Sequence, residues 1–535
     1  MKDIVIFTAS LDFNVRWNIV TLAERFPETK FTVLLHRPQK RIRRLVHNQF
    51  VNLKRHGWRW IPYQAGELAR LLAQRNRLAP VVSQDRPGVM FDLEALQQHP
   101  RIDIQVLRNI NGEEACELVR RLCPDLGIAL AAPILKQNLF SIPRFGTINL
   151  HKGRLPDYRG MPPAFWELKN GEQEVGCTIH RVDAGLDSGD ILLARSIPVD
   201  KFSTVAGMQA RLHHLGVNMV CEAVELIASG RAVYTRQCTG GRTNTRPPLA
   251  VERALLKERA LQTPAEGALR SLCKRMVFSS YSCLFKPILN RVYGMLGKQR
   301  VIVLLYHRVS DRFRDNVTIG IEQFDRQMAY LSANCTVVSL AEIVRGDVPR
   351  HSLKPVIAIS FDDGYLDNFE NAAPILLKHK IPCTFFVSTR KIANNEPFDH
   401  DLKALGFGLD NMNWGHIEQM RKWGLHFGSH TLNHVNLAAV SDDVALQELT
   451  GSLDDIRSRL GQEDVLIAYP YGGKRHITPE RLEMIKNLGY SACFSAYGGY
   501  NQLPLDRFNI KRVGINWAFD LTAFRARLSG WDKTA

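Results

Sequence analysis

The sequence predicts an α/β fold in both halves of the chain, a mostly parallel sheet first and a series of barrel-type β-α units second. Short apolar runs alternate with helical stretches along the first half, which is the pattern of a parallel sheet. This pattern weakens after Pro247, and a second series of β-α units begins at Val301. The composition, with 45% hydrophobic and 23% charged residues, excludes a wholly disordered, collagenous or coiled-coil chain.

The first half is predicted to begin with a buried strand at Asp3–Ala9, because this segment is mostly apolar. Helical periodicity covers Arg16–Phe26 and Gly112–Leu122. The further predicted strands of this half are Phe31–His36, Trp58–Tyr63, Ile102–Leu107, Leu126–Ala132 and Gly146–Leu150.

The second half is predicted to repeat the β-α unit. A run of such units fits a barrel, complete or distorted, whose active site lies at the carboxyl ends of the strands. The predicted strands are Val301–Tyr306, Val356–Phe361, Cys383–Val387 and Leu425–Gly428.

The chain carries an excess of basic residues, 70 Lys and Arg against 53 Asp and Glu, for a net charge of +17. This charge favours an anionic partner: nucleic acid, a membrane surface or a phosphorylated metabolite. Residues 266–300 interleave basic and apolar side chains and contain no carboxylate after Glu266. They form either a basic amphipathic helix on an anionic membrane or an interdomain helical linker. The basic stretch Lys40–Arg55 either meets substrate phosphates or is a solvated helix face.

The sequence predicts a cytoplasmic protein. A second prediction is that residues 266–300 associate with the cytoplasmic face of a membrane. The ten cysteines are scattered without a C-x-x-C pair, which disfavours a disulfide framework or a thiolate zinc site. The N-terminus lacks the long apolar run of a signal peptide, and no apolar run reaches the roughly 18 residues that a spanning helix needs.

A first group of polar residues follows the predicted strand that ends at Asn149-Leu150-His151. Residues two apart on a strand share a face, so Asn149 and His151 point to the same spot at a strand end, where α/β sheets bind ligands. Asp187 lies in a glycine-rich turn that can bring its carboxylate against the histidine. An amide donor, an imidazole and a carboxylate suit acyl transfer to an amine. The alternative is a capped strand end followed by an Asp-Gly turn.

The motifs of this half are Asn149-Leu150-His151, Leu155-Pro156, Arg159-Gly160, Gly171-Glu172, Gly176–His180 and Gly185–Leu192. In these motifs the chain resembles the N10-formyltetrahydrofolate-dependent formyltransferases, which include methionyl-tRNA, glycinamide ribonucleotide and amino-sugar formyltransferases. The resemblance implies a Rossmann-like domain that moves a formyl group from 10-formyltetrahydrofolate to a primary amine. The residues that it assigns to the site are the catalytic trio Asn149, His151 and Asp187, with Arg159 at the substrate.

Two features of this half depart from that family. Gly153-Arg154-Leu155-Pro156 replaces a run that often begins with Ser and continues with Leu-Leu-Pro. No room remains before the basic segment for the further β-barrel domain that the tRNA enzymes carry. We therefore expect an amino-sugar acceptor rather than a tRNA.

A second group of polar residues follows the predicted strand Val356–Phe361, where Asp362 and Asp363 are adjacent. Two carboxylates so close resist joint ionisation unless a cation is present. His430 and His434, spaced i and i+4, can grip one metal from a shared face. One carboxylate and two imidazoles leave positions open for water and a substrate oxygen, as a hydrolytic centre needs. The alternative is a pair of surface histidines.

The motifs of the second half are Leu305–Val309, Ser360–Gly364, Thr384–Phe386, Trp414, His430…His434 and Tyr469–Gly472. In these motifs the chain resembles the polysaccharide deacetylases, which are the NodB-homology carbohydrate esterases. The resemblance implies a distorted (β/α) barrel that hydrolyses an N-acyl group of an amino sugar. It assigns Asp362 as the general base. It assigns Asp363, His430 and His434 as ligands of Zn²⁺ or another divalent ion. The groove would be lined by Tyr469, Pro470 and Tyr471, and the Tyr471 backbone N–H would donate to the oxyanion.

This half also departs from its family at two places. The third motif has Ile467-Ala468 where the family has an Arg, so we expect Arg512 to take that place beside Asp362. The late Leu-His motif that supplies the acid in many members is missing. His307, after the first strand, is the substitute candidate for general acid, and the alternative is a histidine buried at a strand end.

At about 150 residues per domain the length of 535 allows three or four domains, but the motifs divide it into fewer. We predict a formyltransferase-like domain at 1–248, a basic amphipathic linker at 249–298 and a NodB-like domain at 299–535. Both domains act on a sugar amine, so the main hypothesis is a bifunctional enzyme that acts on a nucleotide- or lipid-linked amino sugar. Nucleic acid is not expected as a partner. The alternatives are a deacetylase with an N-terminal binding module, a methionyl-tRNA formyltransferase-like activity, and a membrane-surface scaffold.

Overall fold

The structure is a computed structural model that describes residues 1–38, 83–238, 242–261, 300–349, 352 and 354–528. The described residues form two compact units, one of residues 1–38 and 90–261 and one of residues 83–89 and 300–528. The predicted strand Trp58–Tyr63, the basic stretch Lys40–Arg55 and nearly all of 266–300 lie outside the described residues. Within the described part, no helix is both long and apolar enough to cross a bilayer.

The first unit is built on a sheet whose strands follow the apolar runs of the sequence. Its described strands are β1 (Asp3–Thr8), β2 (Lys30–His36), β3 (Ile102–Leu107), β4 (Leu126–Ala129), β5 (Thr147–His151), β6 (Tyr158–Gly160), β7 (Glu174–Arg181), β8 (Ile191–Pro198) and β9 (Arg242–Asn244). Seven of these described strands form one sheet in the order β3-β2-β1-β4-β5-β7-β8, while β6 pairs with β9. The strands from β3 to β5 are parallel, and β7 and β8 continue the sheet antiparallel.

Helices pack on this sheet, and two of the described ones begin at a residue whose side chain caps them. Asp12 accepts the Val15 N–H at 3.1 Å, and Thr204 accepts the Gly207 N–H at 3.1 Å. The described helices are α1 (Phe13–Arg25), α2 (Leu93–Gln98), α3 (Glu113–Leu122), α4 (Gln137–Phe140), α5 (Phe165–Lys169), α6 (Val205–Ala228) and α7 (Leu249–Leu261). One core of this unit joins apolar side chains of β1, β2 and β4 to those of α3 and α4.

The second unit is built on a curled, mostly parallel sheet. Its described strands are β10 (Arg300–Tyr306), β11 (Arg308–Val309), β12 (Thr318–Ile319), β13 (Thr336–Val337), β14 (Val356–Phe361), β15 (Thr384–Val387), β16 (His426–Ser429), β17 (Leu466–Ala468), β18 (Ala492–Phe494), β19 (Asn501–Gln502) and β20 (Arg512–Gly514). The main path runs β18-β17-β16-β15-β14-β10-β19, with β13 on β14 and β20 on β10. All pairs are parallel except β10 with β19. Every residue of β14 is buried, as in a strand covered on both faces.

The helices of the second unit alternate with its strands. The described helices are α8 (Ile321–Asn334), α9 (Leu340–Arg345), α10 (Ala373–His379), α11 (Thr389–Asn394), α12 (Asp399–Leu405), α13 (Trp414–Lys422), α14 (Asp442–Leu460), α15 (Pro479–Asn487) and α16 (Leu521–Leu528). A π-helical segment, Asn368–Ala372, precedes α10. This arrangement is the distorted β/α barrel that the sequence predicts.

Residues 83–89 pack against α9 of the second unit, although they precede most of the first unit in the chain. Ser83 donates its hydroxyl to Glu342 at 2.7 Å, and the Gln84 N–H donates to the same carboxylate at 2.9 Å. Asp85 accepts the Ser339 hydroxyl at 2.7 Å. Glu342 is also the last member of the capping box that begins α9 at Ser339. The predicted domain bounds at 248 and 298 remain predictions, and the second unit gains a segment from the N-terminal part of the chain.

The α/β class is confirmed, and most predicted elements lie within one or two residues of the observed ones. Strand Val356–Phe361 has the predicted bounds. The predicted strand Leu126–Ala132 ends earlier, at Ala129, because Ala131 turns the chain with a φ of 49°.

Candidate active sites

The first candidate site lies at the end of β5. Asn149 and His151 share a face of this strand, and Asp187 approaches them from the turn after β7. The His151 Nδ1 lies 3.5 Å from the Asp187 Oδ2, and the Asn149 Nδ2 lies 3.5 Å from the Asp187 Oδ1. The Gly160 N–H donates to Asp187 at 3.1 Å. The structure therefore brings together the three residues that the sequence assigns to this site.

The protonation of His151 follows from its neighbours. Its Nε2 lies 2.7 Å from the carbonyl oxygen of Tyr158, which can only accept, so Nε2 carries the hydrogen. Burial lowers the pKa of His151, and the Asp187 carboxylate opposes this only in part. The imidazole is therefore neutral at pH 7. Its Nδ1 holds a lone pair that can take a proton, and Asp187 stabilises the imidazolium that forms.

Gly153 allows the loop after β5 to close on His151. A Cβ at this position would lie 2.6 Å from the His151 Nε2 and 2.5 Å from the Tyr158 carbonyl oxygen. The departure from the family at Gly153 thus has a steric reason in this chain, since any side chain would displace the histidine from its hydrogen bond.

His180 is a member of this site that the sequence analysis did not assign. Its Nε2 lies 3.1 Å from the Asn149 Nδ2 and 3.6 Å from the Asp187 Oδ1. It stands on β7 directly opposite Asn149 on β5. The motif Gly176–His180 was an available signal, but only the strand pairing places this histidine.

Arg159 is held beside the Asp187 turn through Gln237. Its Nη2 donates to the Gln237 Oε1 at 3.1 Å, and the Gln237 Nε2 donates to the carbonyl oxygens of Asp187 at 3.1 Å and Gly189 at 2.6 Å. The Arg159 Nε is buried and has no hydrogen-bond partner among the described residues. Its role at a substrate remains a prediction.

The second candidate site lies at the end of β14, where Asp362 meets Arg512 from β20. The guanidinium donates to both carboxylate oxygens, at 2.6 Å and 2.7 Å, and Arg512 is 0% exposed. Burial raises the pKa of Asp362, but Arg512 and the neighbouring imidazoles outweigh it and the net shift is downward. Asp362 is therefore ionised at neutral pH, and Arg512 occupies the expected place beside it.

Asp363, His430 and His434 form a compact donor set in the same site. The Asp363 Oδ1 lies 3.4 Å from the His430 Nε2 and 3.2 Å from the His434 Nε2, and one ligand atom from each residue lies within 4.8 Å of the others. This oxygen is buried and accepts no hydrogen bond from any described residue. A buried carboxylate oxygen without a donor, facing two imidazole nitrogens, fits a divalent cation such as Zn²⁺.

The two carboxylates of this site, Asp362 and Asp363, favour positively charged groups beside them. Burial lowers the pKa of His430, but Asp362 and Asp363 outweigh it and the net shift is upward. Burial lowers the pKa of His434, and Asp363 does not offset it. The His430 Nδ1 contacts the Ala468 carbonyl at 2.5 Å, which fixes the ring and turns Nε2 to Asp363.

Backbone strain gathers around the donor set. Asp363, His434 and Tyr471 have positive φ angles of 76°, 62° and 63°, which non-glycine residues rarely adopt. Such strain persists where the surrounding structure fixes it and is frequent at functional sites.

The remaining predicted residues of this half differ in exposure. Burial lowers the pKa of His307, and the charges of Asp363 and Asp362 oppose this shift only in part. Tyr469 and Pro470 are buried, and the Tyr469 hydroxyl donates to the Gly472 carbonyl at 3.0 Å. Tyr471 is 50% exposed, with its ring centroid 5.0 Å from that of His434. Contact of Tyr469, Pro470 and Tyr471 with substrate, and of the Tyr471 backbone N–H with the oxyanion, remains a prediction, and Tyr471 is the exposed one of the three.

Two family models match separate parts of this chain. Residues 94–224 match the formyl transferase family, and residues 350–493 match the polysaccharide deacetylase family. Both predicted resemblances are confirmed. The chain thus fuses a formyltransferase domain to a polysaccharide deacetylase domain, which indicates an enzyme with a transferase part and a hydrolase part.

Curated relatives match the first half. The methionyl-tRNA formyltransferase of Geobacter sulfurreducens is 36% identical over 178 residues, which are 32% of this chain and 56% of that protein. The one of Citrifermentans bemidjiense is 39% identical over 125 residues, which are 23% of this chain and 39% of that protein. The chain spans about half the length of the first of these curated relatives.

Solved structures resemble both halves. A Streptococcus pyogenes deacetylase in complex with acetate is 22% identical, with 42% of this chain and 96% of that chain covered and a TM-score of 0.37. A sugar N-formyltransferase from a Shewanella species is 15% identical, with 50% of this chain and 90% of that chain covered and a TM-score of 0.31.

Proposed function

We propose that the chain is a bifunctional amino-sugar modifying enzyme that removes an N-acyl group by metal-dependent hydrolysis and transfers a formyl group to a sugar amine. The observation that carries the proposal is the donor set Asp363, His430 and His434 beside the Arg512-paired Asp362. It lies at the strand end of the part that matches the polysaccharide deacetylase family.

In the hydrolytic half, a divalent cation held by Asp363, His430 and His434 would supply Lewis-acid chemistry to the acyl oxygen. Asp362 is ionised and rigidly held, so it can accept the proton of the attacking water. Arg512 keeps that carboxylate charged and oriented. His307, whose pKa burial lowers and the charges of Asp363 and Asp362 partly raise again, is the proposed donor of a proton to the leaving amine.

In the transferase half, 10-formyltetrahydrofolate would supply the activated formyl group. Asn149, His151 and Asp187, which meet at the end of β5, fit that chemistry. The Asn149 amide can donate to the formyl oxygen as charge develops there. The neutral His151 can take the proton of the attacking amine at Nδ1, and Asp187 at 3.5 Å balances the resulting charge.

The two reactions share one functional group. N-deacylation releases a sugar amine, and formyl transfer consumes one, so the product of the first is a substrate for the second. A nucleotide- or lipid-linked sugar remains part of this proposal, as do a cytoplasmic location and contact of residues 266–300 with a membrane surface.

A second candidate is formyl transfer to methionyl-tRNA, because the curated relatives of the first half carry that activity in their names. The chain covers about half of the first such relative, so the tRNA reaction is the less favoured acceptor reaction.

The test uses the full chain with Zn²⁺, 10-formyltetrahydrofolate and either UDP-N-acetylglucosamine, N-acetylglucosamine tetramer or methionyl-tRNA. We expect acetate release and a formylated sugar by mass spectrometry. Asp363→Asn should abolish acetate release and weaken Zn²⁺ binding in calorimetry by at least about 100-fold, more than loss of a supporting residue costs. His151→Ala should slow formyl transfer by about 100- to 10,000-fold.

His151→Ala should leave acetate release unchanged and is the control for the hydrolytic half. Asp363→Asn should also stop formylation of the N-acetylated sugars, because their amine arises only by deacylation, but it should leave formyl transfer to an added free amino sugar unchanged. Acetate release without any formyl transfer by the intact chain would favour a deacetylase with a binding module. Formylated methionyl-tRNA without formylated sugar would favour the second candidate. Zn²⁺ binding that survives Asp363→Asn would contradict the assigned metal site.

A further inference from the structure

The loop that carries both proposed histidine ligands begins directly after β16, at His430, and reaches His434. Thr431 and His434 have positive φ angles of 63° and 62°, which non-glycine residues rarely adopt. Such a conformation persists where the surrounding structure fixes it. The contacts that hold this loop from outside therefore decide whether the His434 Nε2 stays at 3.2 Å from the Asp363 Oδ1.

One face of α14 contacts this loop along its length. Glu448, Gly451 and Ser452 are spaced i, i+3 and i+4 on the helix and so share a face. The Ser452 hydroxyl lies 2.8 Å from that of Ser429, the last residue of β16. Gly451 lies against Leu432, because an added Cβ would come within 2.7 Å of the Leu432 Cδ1. The helix face therefore fits the loop closely at its start and in its middle.

Glu448 holds the end of the loop through both oxygens of its carboxyl group. The Asn433 N–H donates to the Glu448 Oε2 at 2.9 Å, and the Asn433 Nδ2 donates to the Oε1 at 2.6 Å. Glu448 is 4% exposed, so these bonds are shielded from water. The contact fixes the backbone and the side chain of the residue that precedes His434 at the same time.

A hydrogen bond within the loop differs from this contact in its reach. The Thr431 Oγ1 accepts the His434 N–H at 3.1 Å, which closes the turn inside the loop. Such a bond shapes the loop but does not locate it relative to Asp363, which follows β14. Glu448 connects the loop to a helix of 19 residues and so fixes its position.

We propose that Glu448 is a positioning residue of the metal site, which holds Asn433 and thereby keeps the His434 imidazole beside Asp363 for a divalent cation. The proposal rests on the proposed metal-dependent hydrolysis. It gives Glu448 no contact with the cation or the substrate, since the residue acts through Asn433. A support of this kind raises metal affinity because less ordering of the ligands is needed on binding.

The test measures the Zn²⁺ affinity of the full chain by calorimetry, after metal has been removed with a chelator. Glu448→Ala leaves all three ligands in place but releases Asn433, so we expect the dissociation constant to rise by about 10- to 100-fold. Asp454→Ala is the matched control, because it removes an exposed carboxylate from the same helix and should leave the affinity unchanged. Hydrogen exchange of β16 and α14 shows whether each variant is folded.

An exchange of the two side-chain groups separates positioning from a general loss of packing. Glu448→Gln keeps the size of the side chain but places an amide nitrogen against one of the two Asn433 donors, so the dissociation constant should rise. In the double variant Glu448→Gln with Asn433→Asp, the new amide can donate to the new carboxylate and accept the backbone N–H of residue 433. Both hydrogen bonds are then restored, and we expect most of the Zn²⁺ affinity to return. These two variants decide the question if Glu448→Ala does not fold.

The outcomes separate this inference from the function on which it rests. A wild type that binds no stoichiometric Zn²⁺ overturns the proposed metal site and, with it, the role of Glu448. A wild type that binds Zn²⁺, with an unchanged dissociation constant in Glu448→Gln and in folded Glu448→Ala, overturns only the role of Glu448. A double variant that binds no better than Glu448→Gln alone also overturns that role, because Glu448 would then not act through Asn433.

Discussion

The two candidate sites place carboxylates at or beside strand ends but compensate their charges differently. Among the described residues, Asp187 contacts the Gly160 N–H, the Asn149 amide and two imidazoles, so its compensation is built from neutral or titratable donors. Asp362 instead meets the fixed guanidinium of a fully buried arginine. The first arrangement holds its carboxylate with groups that can themselves exchange protons, whereas the second holds Asp362 beside a charge that does not titrate, so that this carboxylate is ionised before it accepts a proton from water.

The difference follows from the number of carboxylates. A single carboxylate can be held by hydrogen bonds and imidazoles, as at Asp187, whose side chain is 13% exposed. Two adjacent carboxylates repel each other unless positive charge is fixed beside them. The second site therefore needs Arg512 for Asp362, and its Asp363 remains open to a cation between His430 and His434.

The strongest test of this comparison removes the fixed charge. Arg512→Met leaves Asp362 buried without its partner, so we expect the second unit to lose about 3–5 kcal/mol of unfolding free energy and deacylation to stop. Formyl transfer to a free amino sugar, which does not need prior deacylation, should not change. Hydrogen exchange of the strands around Asp362, together with both activities, measures these effects.

The matched control is the double variant Arg512→Met with Asp362→Asn. It removes both charges together, so its loss of stability should be clearly smaller than that of Arg512→Met alone. Equal losses would show that Arg512 acts by packing rather than by charge, and the contrast between the two sites would then be wrong.

The sequence was sufficient for elements and residues whose signals are local. Alternation on β5 placed Asn149 and His151 on one face. The i, i+4 spacing of His430 and His434 suggested a shared helical face, but both residues lie in the loop after β16, where His434 has a φ of 62°, and they meet Asp363 from there. Arg512 was predicted only because this chain has another residue where the family has its usual arginine. The parallel pairing of β20 with β10 places Arg512 beside Asp362. His180 was missed, because its place opposite Asn149 depends on the register of two strands. Such contacts join residues distant in sequence, and no local pattern encodes them.

The first unit contains another buried carboxyl group, Glu167, which differs from Asp187 and Asp362 because a bound proton keeps it neutral. Glu167 is 2% exposed, and its Oε1 has no hydrogen-bond partner in the described part. Burial raises the pKa of Glu167 from 4.5 to about 7. Its contribution to stability is fully present below pH 4.5 and is lost as the pH rises through about 7, because the buried group must then ionise.

Glu167→Gln removes this ionisation. The variant should be more stable than the wild type above pH 7, by up to about 2–3 kcal/mol, and the advantage should vanish near pH 4.5. Hydrogen exchange of the first unit at pH 5 and pH 8 measures it. Glu113→Gln, on an exposed side chain, is the control and should show no such pH-dependent difference. A Glu167→Gln advantage that is the same at both pH values would indicate a packing effect.

The smallest expected effect concerns Glu342, a buried carboxylate whose hydrogen-bond donors among the described residues are all neutral. Glu342 accepts from the Ser83 hydroxyl, the Gln84 N–H and the Ser339 N–H. Ser83→Ala removes one donor and leaves the others, so the second unit should lose only about 1 kcal/mol. Gln84→Ala is a matched control, because Gln84 donates through its backbone and its side chain is exposed. Hydrogen exchange of α9 should accelerate in Ser83→Ala and remain unchanged in Gln84→Ala.

If Ser83→Ala has no effect on α9, residues 83–89 are not an integral part of the second unit, and the hydrolase domain begins where the predicted bound of 299 places it.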